Sequence, residues 1–267
     1  MPFSTQQVRL TLLALLSAAL VAGCTVDARV PAPDPADGPA VESPAAVEPE
    51  PEPEPEPATG KTGGAEPSGE DEVQLVADPT AIDVLVNKRY ALPPDYVPPD
   101  LVEPNVRFIF DEWHERRLMR AEAAAALEEM FAAAEEDGIY LAGVSGYRSY
   151  EYQEMLYTSY VSTDGPELAD RYSARPGHSE HQTGLAMDVS GSTGECAAEE
   201  CFAGTPEAEW LAAHAHEFGF IIRYPEGKEH ITGYMYEPWH VRYLGKDLAR
   251  AVYESGLTYE EYVQRHR

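Results

Sequence analysis

The chain has 267 residues, with 47 Asp/Glu against 19 Lys/Arg and a formal net charge of −28 at pH 7. The acidity is spread: residues 25–78 hold 14 Asp/Glu against 2 Lys/Arg, and residues 79–267 still carry a net −17. Phosphate binding needs clustered Lys and Arg, so nucleic acid is excluded as a partner, while the span after the acidic tract is long enough for one sizeable hydrophobic core.

In chain order, the first element is an apolar run from Leu10 to Val21 with leucines at 12, 13, 15, 16 and 20. Roughly 20 residues are needed to span a bilayer, so this run has the length of a signal-peptide core instead. Val21-Ala22-Gly23-Cys24 follows directly and resembles a bacterial lipobox. Residues 1–24 are therefore expected to be a lipoprotein signal, with Cys24 the lipidated first residue and the mature chain on the outer side of a bacterial membrane. An ordinary secretory signal is the alternative, and the single basic residue Arg9 makes the charged start thin. Residues 25–80 follow as a Pro/Ala/Glu spacer that alternates from Glu48 to Pro57. Proline removes backbone donors, so an extended, disordered stalk without chemistry is expected.

Residues 81–267 are the expected globular part. Prolines at 93, 94, 98, 99 and 104 forbid long regular structure at its start. Residues 111–136 show helical apolar spacing, with Gly138 as a C-cap. A strand is expected over 139–144 and a second helix over 149–160. A polar Gly- and Pro-containing stretch covers 171–184, and residues 185–189 alternate like a strand. Thr205 and Pro206 open a helix that Gly219 ends. Strands are expected over 220–224 and 234–243, and short helices over 246–255 and 259–265. Thr258-Tyr259-Glu260-Glu261 fits a capping box before the last of these. Interspersed helices and short strands predict an α+β fold with a small, mostly antiparallel sheet and flanking helices.

Eight histidines are present, most of them between residues 178 and 240. Two neighbourhoods stand out, Ser179-Glu180-His181-Gln182-Thr183-Gly184-Leu185-Ala186-Met187-Asp188 and Glu237-Pro238-Trp239-His240. A catalytic zinc takes three protein ligands and keeps one position open, and His181, Asp188 and His240 would supply that set. The water it activates needs a base, and Glu237 is tied to His240 through the backbone. A straight strand would point residues 237 and 240 to opposite faces, so the motif requires a turn or bulge near Pro238.

These residues reach a family. Ser-x-His-(x)6-Asp followed by Glu-x-x-His resembles the D-alanyl-D-alanine carboxypeptidases and dipeptidases of the M15 metallopeptidases. SEHQTGLAMD and EPWHVRYLG are most similar to the VanY-type branch, as are residues 86–101, 146–153 and 223–240. The resemblance covers about residues 82–260. It implies the hedgehog/D-Ala-D-Ala peptidase-like fold, Zn2+ on His181, Asp188 and His240, Glu237 as catalytic base, and Arg148 beside substrate. It also implies substrate contacts at Ser179 and Gln153. From chemistry alone, an arginine suits either a C-terminal carboxylate or charge growing on the scissile carbonyl. Arg175, Arg223 and Arg242 are less favoured for that place, and His178, His214, His216 and His230 read as supporting, packing or surface residues.

The expected reaction is hydrolysis of the terminal D-Ala–D-Ala bond of peptidoglycan stem peptides or their precursors, which would lower susceptibility to glycopeptide antibiotics. A peptidoglycan endopeptidase or D,D-dipeptidase with the same site is the nearest alternative. A wall-binding module that has lost turnover is the alternative from another class, and an intact Glu237 speaks against it. Cys196 and Cys201 flank four residues, and export to an oxidising compartment predicts a disulfide between them, with free thiols or metal binding as the alternatives.

Overall fold

The structure, a computed structural model, describes residues 73–266. Cys24, the apolar leader and residues 25–72 of the expected spacer lie outside the described residues. The last residues assigned to that spacer join the domain: β1 (Gln74–Leu75) pairs in parallel with β2 (Tyr90–Ala91), and Val76 packs against the main core. Among the described residues no helix is long and apolar enough to cross a membrane.

The proline-rich stretch is irregular until β3 (Leu101–Val102) pairs antiparallel with β4 (Met119–Arg120). This pairing corrects the expectation of a helix from residue 111. Glu115–Arg117 make only a 3-10 turn, and α1 runs Ala121–Glu136. The Arg120 N–H donates to the Gly184 carbonyl (2.8 Å) and its guanidinium to Asp100 (3.0 Å), which holds residues 119–120 extended against their apolar spacing. From Ala121 the spacing does govern: Ala123, Leu127, Met130, Phe131 and Ala134 are buried along one stripe. Gly138 (φ 80°) closes the helix, with its N–H on Glu135 O (3.0 Å) and that of Ile139 on Ala134 O (2.8 Å), the paired bonds of a Schellman motif.

After β5 (Leu141–Ser145), Ser149 caps α2 (Tyr150–Asp164) by accepting the Tyr152 N–H (3.3 Å). Gly165 (φ 81°) breaks that helix and Pro166 starts α3 (Pro166–Tyr172). The sequence shows the break but not the resumption, because Ala169 alone in α3 is buried. β6 (Ala186–Gly191) leads to a loop closed by the Cys196–Cys201 disulfide. α4 (Pro206–His214) begins where expected, with the Ala208 N–H on Thr205 Oγ1 (3.2 Å), and Gly219 (φ 91°) ends the following turn. Then come β7 (Phe220–Tyr224), α5 (Glu229–Thr232), β8 (Glu237–Tyr243), α6 (Lys246–Ser255) and α7 (Tyr259–His266). The expected capping box is formed, with Thr258 N–H on Glu261 Oε2 (2.9 Å) and Glu261 N–H on Thr258 Oγ1 (3.2 Å).

The strands β5-β6-β8-β7 form one antiparallel sheet, so the fold is α+β. Met187, Val189, Trp239, Val241 and Tyr243 enter the main core together with α1 and α4. A second cluster joins Ile221 and Leu244 to Ala249, Val252 and Tyr259 of α6 and α7. Side chains alternate along a strand, so Asp188 and His240, which are register partners, point away from the core that holds Met187 and Val241. The sheet thus presents a polar pair on its second face.

Candidate active site

A cavity of about 650 Å³ opens over that face, with Arg148, Ser179, His181, Asp188, Glu237 and His240 in its wall. Three structural devices assemble them. His181 lies in a 3-10 turn, Glu180–Thr183, just before β6. Asp188 is supplied by β6 and His240 by β8, side by side in register. Glu237 arrives through an irregularity: Ile222 pairs with Val241, yet Tyr224 pairs with Glu237, so β8 carries two extra residues between those rungs. That bulge is the departure from a straight strand that the Glu-x-x-His spacing required. It places Glu237 Oε2 3.5 Å from His240 Nδ1.

The ligand atoms of His181, Asp188 and His240 all lie within 4.8 Å of one another. His181 Nε2 is 3.4 Å from Asp188 Oδ2, and His240 Nδ1 is 3.2 Å from Asp188 Oδ1. His181 Nδ1 bonds the Gly146 carbonyl at 2.7 Å, which makes it the protonated nitrogen and leaves Nε2 as a lone pair. Buried and without a hydrogen-bond partner, His181 Nε2 and Asp188 Oδ1 both face the cluster. Unpaired buried polar atoms are costly, and two imidazoles and one carboxylate fit a tetrahedral zinc site with one open position. The residues present therefore fit the metal.

Electrostatics separate the roles. Burial pushes the His181 imidazole down to about 4, with the Arg148 guanidinium adding to it, so the ring is neutral. Burial opposes ionisation of Asp188, but the two imidazoles outweigh it and hold the carboxyl well below its usual range. Glu237 differs: burial pushes it up to about 7, against the pull of His240. A carboxyl that titrates near neutrality can both take and return a proton.

Arg148 donates its backbone N–H to the His181 carbonyl (3.3 Å), and its Nε is buried without a partner. Ser179 is buried in the same wall. Gln153 is elsewhere. It is buried on α2 and is not one of the cavity-lining residues; its amide N–H donates to the carbonyl of the wall residue Ala174 (2.7 Å), and its Oε1 is buried without a partner. Arg175 is exposed on Asp170 (2.6 Å). His216 stacks on Tyr253, His214 pairs with Glu217 (3.0 Å), His230 is exposed, and His178 Nδ1 bonds Asn87 O (2.7 Å), so none joins the cluster. The disulfide loop contributes Ala198, Glu199, Glu200 and Cys201 to the lining, and Tyr160, Tyr172, Tyr224 and Tyr234 are among the other lining residues.

Sequence reasoning passed over Glu180. It is fully buried, accepts from Arg223 Nε (2.7 Å) and Arg242 Nη1 (2.6 Å), and brings Oε2 to 3.5 Å from His240 Nε2. Arg223 and Arg242 are thus buried partners of Glu180, not substrate ligands. The available signal was an arginine inside each of the strands Phe220–Tyr224 and Glu237–Tyr243, which demands an acid partner once the strand is buried.

A family model described as VanY: D-alanyl-D-alanine carboxypeptidase matches residues 116–246. The chain is 48% identical over 195 residues to YodJ of Bacillus subtilis (strain 168), a protein named as a carboxypeptidase; the match takes in 73% of this chain and 71% of that one. Among solved structures, the LdcB LD-carboxypeptidase is similar with a TM-score of 0.69 at 48% identity, covering 72% of this chain and 90% of that chain. The D,D-pentapeptidase VanY of a VanB-type resistance cassette, solved as a variant in complex with Zn(II), is similar with a TM-score of 0.55 at 31% identity, covering 70% and 99%. The chain belongs to the VanY family of M15 metallo-carboxypeptidases.

Proposed function

We propose that the chain is a zinc carboxypeptidase that releases the C-terminal D-alanine of peptidoglycan stem peptides, cutting the D-Ala–D-Ala bond of the pentapeptide or its lipid-linked precursors. The observation that carries this reading is the convergence of two imidazoles, a buried aspartate and a buried glutamate on one wall of an open cavity.

His181 Nε2, Asp188 and His240 Nδ1 would hold the ion. When bound, zinc supplies Lewis acidity toward the scissile carbonyl and the attacking water. Glu237 takes the proton of that water and hands it to the leaving amine nitrogen, for which a value near neutrality suits both directions. Arg148, fixed by its backbone bond to His181, offers its guanidinium to negative charge, either the terminal carboxylate or the developing oxyanion. Ser179 lines the same wall as a candidate substrate contact.

A second reading has a specific observation in its favour. LdcB, an LD-carboxypeptidase, shares 48% identity with this chain, whereas the D,D-pentapeptidase VanY shares 31%. The same centre would then cut the L,D bond of a tetrapeptide. Chromatography of products from synthetic pentapeptide and tetrapeptide, with and without chelator, separates the two. Loss of one D-alanine from the pentapeptide, stopped by chelator, is expected. Loss from the tetrapeptide alone selects the second reading, and larger fragments or cleavage of free dipeptide only would mean an endopeptidase or dipeptidase. The apolar leader and Cys24 support export and a lipid anchor in a bacterial membrane; fatty-acid labelling of wild type but not of Cys24→Ser is expected. In a host cell, expression should lower pentapeptide content and glycopeptide susceptibility.

A further inference from the structure

His181 and His240 enter the candidate metal site through different ring nitrogens. For His181, Nε2 faces the cluster and Nδ1 bonds the Gly146 carbonyl. For His240 the order is reversed: Nδ1 faces Asp188 Oδ1 (3.2 Å) and Glu237 Oε2 (3.5 Å), and Nε2 points away from both toward Glu180 Oε2 (3.5 Å). His240 Nε2 and Glu180 Oε2 are each buried, and neither has a hydrogen-bond partner by strict geometry. At 3.5 Å they stand at the outer limit of a bond, opposite each other.

We propose that Glu180 is a positioning residue: its carboxylate accepts a hydrogen bond from the Nε2–H of His240, holds the proton on that nitrogen, and thereby presents Nδ1 to the metal. The inference rests on the zinc reading above. A ligating histidine that donates its other N–H to a carboxylate or carbonyl has its tautomer and ring orientation fixed. Gly146 does this for His181, and Glu180 does it for His240.

What distinguishes Glu180 from an ordinary buried acid is how it is held. One oxygen, Oε1, takes both Arg223 Nε (2.7 Å) and Arg242 Nη1 (2.6 Å). Neither arginine can follow a moving carboxylate. Arg223 is clamped by Glu260 of α7 (2.9 and 2.5 Å), and Arg242 Nη2 by the carbonyls of Ile82 (2.9 Å) and Val84 (2.7 Å). Oε1 is thus pinned from two sides, and the pinning aims Oε2 at the imidazole. The C-terminal helix and the segment at residues 82–84, far from the motif in sequence, are connected through this acid to a metal ligand.

The Glu180→Gln substitution turns this geometry against the site. The arginines are donors only, so they claim the amide oxygen. The amide NH2 then faces Nε2 and favours the tautomer with its proton on Nδ1, where the metal must bind. Glu260→Gln is the control: it removes a charge from the same arginine cluster without facing His240. Zinc affinity is measured for both by competition with a chromophoric chelator, beside thermal unfolding. Glu180→Gln should weaken zinc binding by about 10- to 100-fold, and Glu260→Gln by no more than about 2-fold even if it unfolds earlier. No change in Glu180→Gln, or equal weakening in both, would overturn the proposal. If Glu180→Gln does not fold, the 15N shifts of the His240 ring in zinc-loaded wild type decide: protonated Nε2 with metal-bound Nδ1 is expected, and metal-bound Nε2 overturns it. A wild type that binds no zinc defeats the zinc reading itself, and the proposal with it.

Discussion

In the proposed mechanism Glu237 carries the heaviest chemical load of any single side chain. It is buried, it faces His240 across 3.5 Å, and burial lifts it to about 7. Glu237→Gln keeps the shape and removes the base. The expected result is zinc content equal to wild type with kcat lower by about 10²- to 10⁴-fold, checked by metal analysis beside a D-alanine release assay. Unchanged kcat would remove Glu237 from the mechanism. Arg148→Lys keeps the charge but loses the planar fork. A rise in KM with kcat nearly intact would assign Arg148 to the substrate carboxylate, and a fall in kcat to the oxyanion. At this scale much was legible in the sequence, because His181, Asp188, Glu237 and His240 lie in two short motifs whose residue types state their chemistry. Glu180 was not legible. It sits within one of those motifs, but its meaning depends on Arg223 and Arg242, which meet it only after β7 and β8 have paired. For Gln153 nothing in its neighbours tells which way α2 turns it, and its amide N–H meets the Ala174 carbonyl.

Elements position these side chains by being irregular. The two extra residues in β8 put Glu237 and His240 to common use, and the spacing alone demanded such a bulge. Gly146 is another such point. A Cβ there would stand 2.4 Å from the Leu118 carbonyl oxygen, while its own carbonyl holds His181 Nδ1. Gly146→Ala must therefore move backbone beside a proposed metal ligand. We expect a stability loss of about 1–3 kcal/mol by urea unfolding, together with weaker zinc binding; a variant as stable and as zinc-tight as wild type would contradict the close packing. The disulfide loop is short, with a sequence separation of 5 between its cysteines, so its removal should cost about 2 kcal/mol. Because Glu199 and Glu200 of this loop form part of the cavity lining, Cys196→Ser/Cys201→Ser should raise KM more than it lowers kcat. Element boundaries were less legible than element types. Residues 111–120 have helical spacing, but pairing of β4 with β3 claims the last two, a tertiary effect that local pattern does not contain.

At the scale of the whole molecule, the α+β class followed from interspersed helices and short strands. The division between spacer and domain did not, since β1 at Gln74–Leu75 lies in a segment whose composition reads as linker until β2 pairs with it. The candidate metal joins β6, β8 and the turn before β6, which are separate in sequence, so binding should stabilise the fold as a whole. Zinc at about 1,000 times its dissociation constant would add about 4 kcal/mol. Chelation should lower the unfolding temperature reversibly, and no shift would place the ion outside the core.

The central claim is that one cation is held jointly by His181, Asp188 and His240 beside Glu237. X-ray data collected above and below the zinc absorption edge test it most directly. The account predicts one anomalous peak at about 2.0–2.2 Å from His181 Nε2, an Asp188 oxygen and His240 Nδ1. A map with no peak there, or with its peak elsewhere on the molecule, would contradict it.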